Sequence, residues 1–90
     1  MDNLRKQIDE IDTELVKLFE RRMEQSLQIA EYKIRENIPI LDEEREKAVI
    51  EKNTMRLKNR ELNEELREFF STIIRLSKKI QNREFNKNNM

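Results

Sequence analysis

The 90-residue sequence contains no cysteine, histidine or glycine, and only one proline. Without cysteine there is no disulfide framework, no thiolate nucleophile and no zinc site of the usual kind. Without histidine the commonest general base of enzymes is missing as well. Strands joined by tight turns depend on glycine, whereas the abundant glutamate, lysine, leucine and arginine favour helices. The composition therefore predicts an all-α protein.

Neither sign of charge is in excess, because 19 basic residues balance 19 acidic ones. No overall field attracts nucleic acid or an anionic membrane, so neither is expected as a partner, and an anion must be bound by a local cluster. The N-terminus has no apolar signal core, and no hydrophobic run approaches the length of a membrane span. We therefore expect a single-domain cytoplasmic protein.

The first part of the chain predicts one long helix. Asp2 or Asn3 is suited to cap its start, and nothing breaks the helix before Asn37 and Pro39. The helix would then run for roughly 32 residues, or about 48 Å. Its apolar side chains recur at spacings of three and four, in one row of Leu4, Ile8, Ile11, Leu15 and Leu18 and a flanking row of Val16, Phe19, Met23, Leu27, Ala30 and Ile34.

Two shorter helices are predicted in the rest of the chain. Asp42 is suited to cap the second helix, which would extend to about Leu57, and a polar connection leads to a third start at Asn63. From residue 84 onward asparagine is frequent and no apolar stripe continues. We therefore expect a domain of residues 1–83 followed by a frayed tail, 84–90.

The length of the first helix also bears on assembly. A compact monomer of this size has a radius of gyration of about 12 Å and hence a diameter of roughly 30 Å, which a helix of about 48 Å exceeds by more than three turns. Its apolar stripe would be exposed to water unless another chain covered it. We therefore predict an intertwined helical homodimer, with one long and two shorter helices in each chain.

The second helix places Ile50 on its predicted buried stripe, and the third places Leu66, Phe70, Ile73 and Ile80 on its own. Polar side chains interrupt the predicted buried stripes of all three helices. On the first helix Arg22 and Lys33 lie eleven residues apart. This spacing is about 20° around the helix and about 16 Å along it, so both long cations can reach one anion. The other interruptions are Asp42, Arg45 and Glu46 at the start of the second helix and Ser77 and Gln81 in the third.

Each of these polar residues also has an ordinary structural explanation. Asp42 can be a helix cap and nothing more, and Ser77 can be a small residue that fits between packed helices. Gln81 can be a polar residue that fixes the register of packed helices, and the cations can lie on the solvated surface. Together they are costly on buried stripes unless they bind one another or a ligand. Because agents for covalent or hydrolytic catalysis are missing, a unimolecular rearrangement suits this set, since it needs only a restrained substrate and fixed charges.

Three groups of residues carry a resemblance to a known family. They are Leu4-Arg5 with Ile8, Ile11-Asp12, Leu15 and Leu18; Arg21-Arg22, Ala30, Lys33 and Pro39 with the segment Asp42-Glu43-Glu44-Arg45-Glu46; and Phe70, Ile73-Ile74, Ser77 and Gln81. In this combination the chain resembles the AroQ-type, all-helical chorismate mutases over nearly its whole length. The resemblance implies conversion of chorismate to prephenate, without a cofactor, in phenylalanine and tyrosine biosynthesis. We expect a monofunctional enzyme, because the chain has no room for a fused domain.

The resemblance implies that two arginines bind the substrate carboxylates, Arg22 from one chain and Arg5 from its partner. It further implies that Arg45 orients the carboxylates and that Ser77 contacts one of them. Helix geometry independently supports the assignment of Arg5 to the partner, since Arg5 and Arg22 are seventeen residues apart. This spacing is about 25 Å along the helix and about 100° around it, so the two cannot readily bind one small molecule from the same chain.

At the reacting end of the substrate, the resemblance implies that Lys33 and Gln81 donate hydrogen bonds to the ether oxygen as its bond to carbon breaks. Glu46 would accept a hydrogen bond from the ring hydroxyl, with Asp42 beside it. Two alternatives stay open. Relatives with similar helices act on isochorismate as pyruvate lyases, and a non-catalytic helical dimerisation module would use the same charges only at its interface and surface.

Overall fold

The computed structural model describes residues 1–88, which form helices and connections without any strand. Helix α1 spans Asp2–Arg35, α2 spans Glu43–Thr54 and α3 spans Asn63–Asn88, and a single 3-10 turn over Arg60–Leu62 leads into α3. The prediction of an all-α chain with one long and two shorter helices is confirmed. None of these helices combines the length and the apolar character that a membrane crossing requires.

Helix α1 begins without a side-chain cap. Met1 occupies the N-cap position and its side chain makes no capping bond, so the prediction that Asp2 or Asn3 caps the helix is wrong. Both residues are already inside the first turn. There the carboxylate of Asp2 lies near the positive end of the helix dipole, which stabilises the start in another way.

The C-terminus of α1 is closed by a left-handed asparagine. Asn37 has a φ of 57°, a conformation that asparagine tolerates better than most residues. Its N–H bonds the carbonyl of Ile34 at 3.3 Å, and the N–H of Ile38 bonds the carbonyl of Lys33 at 2.8 Å. These two bonds satisfy the last carbonyls of the helix and reverse the chain, so α1 ends just before the predicted breakers.

Helix α2 begins as predicted and ends early. The carboxylate of Asp42 accepts a hydrogen bond at 3.0 Å from the backbone N–H three residues ahead, which confirms it as the N-cap. The helix stops at Thr54 instead of continuing to Leu57. The guanidinium of Arg60 explains the early end, because it donates to the carbonyls of Thr54 and Met55 at 3.0 and 3.2 Å and so replaces helical donors.

Helix α3 begins at Asn63 as predicted and runs to Asn88, through most of the segment expected to fray. The side-chain amide of Asn88 donates to the carbonyl of Glu84 at 2.8 Å, which satisfies one of the last carbonyls. Asparagine disfavours a helix by less than about 1 kcal/mol per residue, so an existing helix can continue through several of them. Residues 89 and 90 of the predicted tail lie outside the described residues.

The chain is elongated and has a thin core. It measures 52 × 25 × 14 Å with a radius of gyration of 16.0 Å, against about 12 Å for a compact chain of this length. Helix α3 contacts both α1 and α2, yet the only buried apolar residues within 1–88 are Met23, Ala30 and Ile74. The predicted stripe on the first half of α1 is between 47% and 63% exposed, comprising Leu4, Ile8, Ile11, Leu15 and Leu18.

Candidate active site

A cleft of about 490 Å³ lies between the second half of α1, the start of α2 and the middle of α3. Seven of the eight residues predicted for the site line it, namely Arg22, Lys33, Asp42, Arg45, Glu46, Ser77 and Gln81. The eighth, Arg5, is exposed at the start of α1 and does not line the cleft. Three separate helices therefore bring together the polar residues that interrupt their buried stripes.

The guanidinium of Arg22 is fixed by a serine of α3. Its Nη1 donates to the Oγ of Ser77 at 2.8 Å, and the Oγ of Ser26 donates to the same oxygen at 3.2 Å. Ser77 in turn directs its own hydroxyl toward the sulfur of Met23 at 3.7 Å. Both serines are buried. The position of Arg22 is thus set before any ligand arrives, which reduces the entropy lost when one is bound.

The surroundings of Arg22 stabilise its charge less than water does. Its pKa is lowered, first because burial penalises the charged form and second because the positive charge of Arg45 lies near it. Arginine nevertheless keeps its proton at neutral pH. An anion bound between the two guanidinium groups would offset both the desolvation and the repulsion, so this end of the cleft is suited to a carboxylate.

The amide of Gln81 is oriented by the backbone of α1. Gln81 is buried, and its Nε2 donates to the carbonyl of Ser26 at 2.9 Å. A side-chain amide has two N–H donors, and the second has no acceptor among the described residues. One donor therefore fixes the side chain while the other can serve a ligand in the cleft.

Lys33 is similarly held by one of its donors. Its Nζ donates to the carbonyl of Ile40 at 3.2 Å, in the connection that follows α1. An ammonium group has three donors, so two remain for a ligand. The left-handed turn at Asn37 reverses the chain at the end of α1, so the connection passes beside Lys33. This brings the carbonyl of Ile40 within reach of the lysine Nζ.

The first turn of α2 supplies the acidic side of the cleft. Asp42 caps the helix, so its Oδ1 is bound to a backbone N–H, as its ordinary structural explanation requires. Glu46 follows one turn later, and its Oε1 lies 3.1 Å from the Nζ of Lys78 on α3. Among the described residues, Glu46 is therefore the cleft carboxylate with no role in capping a helix.

Three further polar residues line the cleft and were not predicted for the site, namely Gln25, Ser26 and Lys78. Ser26 is buried and lies one helical turn after Arg22. In the sequence it could be recognised only as a small polar residue on a predicted buried stripe. Lys78 gave no signal in the sequence, because it follows Ser77 beside the predicted stripe and resembles any surface lysine. Its place in the cleft depends on how α2 packs against α3.

All of these residues lie within the stretch 4–82, which matches the family model described as chorismate mutase type II. The chain belongs to the type II chorismate mutase family. The resemblance stated from the sequence is thereby confirmed.

One curated relative of the chain is a bifunctional chorismate mutase/prephenate dehydratase from Buchnera aphidicola subsp. Schizaphis graminum (strain Sg). The two are 40% identical over 93 residues. The match covers 98% of the chain and 24% of the relative, so the chain spans about a quarter of the length of that protein. No solved structure matches the chain.

Proposed function

We propose that the chain is a chorismate mutase that converts chorismate to prephenate in phenylalanine and tyrosine biosynthesis. In this Claisen rearrangement the ether C–O bond breaks while a C–C bond forms between the enolpyruvyl methylene and the ring. No atom, proton or electron enters or leaves, so no cofactor is required. The observation that carries the proposal is the convergence of Arg22, Lys33 and Gln81 on one cleft in a chain of this family.

The carboxylates of chorismate match the cationic part of the cleft. Arg22 is pre-positioned by Ser77 and binds one carboxylate, with Arg45 orienting it and the Ser77 hydroxyl beside it. An arginine–carboxylate pair is often bidentate, which fixes orientation as well as position. A flexible substrate held in this way spends more of its time in the conformation that reacts.

The developing charge of the reaction falls at the other end of the cleft. As the C–O bond breaks, negative charge accumulates on the ether oxygen, and Lys33 and Gln81 donate to it with their remaining N–H groups. Both side chains are already held by backbone carbonyls, so little reorganisation is needed in the transition state. Glu46 accepts a hydrogen bond from the ring hydroxyl, with Asp42 beside it at the same end.

A second copy of the chain completes the site. The exposed stripe on the first half of α1 requires a cover, and Arg5 is on this same half of the helix, away from its own cleft. We propose that two chains pack their long α1 helices along each other in an intertwined homodimer. Arg5 of each chain then reaches the cleft of the other and binds the second carboxylate.

Turnover of the natural substrate tests the proposal. Purified protein should deplete the ultraviolet absorbance of chorismate and produce prephenate. The alternative activity, isochorismate pyruvate lyase, predicts instead salicylate fluorescence when isochorismate is supplied. Chorismate left intact by folded, dimeric protein would overturn the proposal, and salicylate formation would replace it with the alternative.

The neutral amide of Gln81 leads to a prediction about pH. An amide donates without being protonated, so wild-type activity should be nearly flat from mildly acidic to mildly alkaline pH. In Gln81→Glu the side chain donates only while it carries a proton, and glutamic acid ordinarily loses that proton at about pH 4.3. Activity of this variant should therefore rise as the pH falls and disappear as the pH rises. Rate profiles of the two proteins check this, and a wild-type profile that collapses above about pH 6 would contradict the placement of Gln81.

A further inference from the structure

The ion pair between Lys78 and Glu46 connects α3 to α2 at the edge of the cleft. The Nζ of Lys78 lies 3.1 Å from the Oε1 of Glu46, and the two side chains are only 35% and 24% exposed. Both residues line the cleft. Lys78 is therefore a further cation of the site, bound to the carboxylate that faces the ring end of the substrate in the proposed function.

Glu46 has one carboxylate oxygen in use and one available. Its Oε1 is bound to Lys78, and within residues 1–88 no donor is bound to Oε2. A carboxylate with one oxygen fixed has far fewer orientations than a free one, because its terminal torsion is otherwise broad. The remaining oxygen then has a defined direction in which to accept a hydrogen bond.

The substrate also creates an electrostatic problem that Lys78 addresses. Chorismate carries two negative charges, and an uncompensated carboxylate in the same small cleft would repel it. Lys78 balances the charge of Glu46 at contact distance while leaving an oxygen free. The pair therefore offers a hydrogen-bond acceptor to the ring hydroxyl without adding net negative charge.

We infer that Lys78 is a positioning residue for the rearrangement, which orients and neutralises Glu46 so that this carboxylate can accept the ring hydroxyl of the substrate. The inference rests on the proposed function of the cleft. It assigns Lys78 no contact with reacting atoms. Its effect passes through Glu46 alone, and this restriction makes it testable.

A second ion pair between the same two helices provides a matched comparison. Arg67 of α3 bonds Glu51 of α2 at 2.9 Å, but the two side chains are 46% and 64% exposed and neither lines the cleft. If ion pairs here served only to hold α2 against α3, breaking either one would have the same kind of effect. Lys79 offers a further control, since it is an exposed lysine next to Lys78 that does not line the cleft.

The experiment compares Lys78→Met with Lys79→Met and Arg67→Met. Methionine keeps the apolar stem of the lysine and removes the charge, which limits any loss of packing. We expect Lys78→Met to raise KM for chorismate about tenfold with kcat within about threefold of wild type, since the hydroxyl contact exists in both the bound substrate and the transition state. The two control variants should retain wild-type KM. Lys78→Arg, which keeps charge and donors, should recover most of the loss.

A chorismate analogue whose ring hydroxyl is replaced by hydrogen isolates the path through Glu46. With this analogue, Lys78→Met should lose clearly less kcat/KM relative to the wild type than it loses with chorismate, because the hydroxyl contact that Lys78 supports no longer exists and only the repulsion between Glu46 and the two carboxylates remains. The inference is overturned if Lys78→Met matches Lys79→Met on chorismate, or if it loses as much on the analogue as on chorismate. Failure of the proposed function is distinct, because the wild type itself would then leave chorismate unchanged.

Discussion

Replacing Lys33 by alanine is expected to lower kcat for chorismate by about a hundredfold to a thousandfold, the usual effect of removing one donor from a site of developing charge. Lys33 has two N–H donors left after its bond to the carbonyl of Ile40. In the proposed mechanism these donors act on the ether oxygen, where charge is greater in the transition state than in the bound substrate. The loss should therefore appear in kcat more than in KM.

The control for this variant is Lys17→Ala on the same helix. Lys17 pairs with Glu14 at 3.7 Å, and its side chain is 66% exposed, so its removal should leave kcat unchanged. Loss of the Lys33 bond to the connection should cost about 1 kcal/mol of unfolding free energy, and thermal unfolding of both variants separates this effect from catalysis. A folded Lys33→Ala protein with wild-type kcat would contradict the placement of Lys33 at the ether oxygen.

Mixing two inactive homodimers is expected to restore activity. Arg5→Ala and Arg22→Ala should each be nearly inactive, because every site of either homodimer lacks one carboxylate-binding arginine. In a mixed dimer, the chain that keeps Arg22 receives Arg5 from the other chain, and one of the two sites is intact. Random exchange makes half of the dimers mixed, so activity should return to about a quarter of wild type if the variants associate equally.

A second mixture gives the matched control. Arg22 and Lys33 line the same cleft of one chain, so mixing Arg22→Ala with Lys33→Ala leaves each site of the mixed dimer with one defect. This mixture should stay inactive. Differently tagged chains allow the fraction of mixed dimers to be measured directly. Recovery in both mixtures, or in neither despite confirmed mixed dimers, would contradict a site shared through Arg5.

Local sequence rules predicted most of the helices because the interactions that start and stop a helix are local. Asp42 accepts from a backbone N–H only three residues away, and the left-handed turn at Asn37 lies within a few residues of the last carbonyls of α1. The early end of α2 depends instead on Arg60, which returns to the carbonyl of Thr54 from six residues further along the chain. A periodic pattern carries no information on such a bond.

The residues of the candidate site likewise fall into those that a local pattern predicts and those that depend on contacts between distant parts of the chain. Arg22, Lys33 and Gln81 could be predicted because each interrupts an apolar stripe at a position facing other helices. Lys78 could not, since its partner Glu46 is thirty-two residues away and their contact follows from how α2 packs on α3. Arg5 is the opposite case. It is exposed on the chain, and its proposed role depends on a second chain.

Proton NMR of chorismate incubated with the purified protein tests the central claim most directly, because it identifies every product and its amount. The proposed rearrangement predicts that chorismate is converted to prephenate mole for mole, without pyruvate and without an added cofactor. Parallel samples with Lys33→Ala should show little conversion, and samples with Lys17→Ala should match the wild type. Chorismate that decays no faster than in buffer, or pyruvate released in place of prephenate, would contradict the assignment.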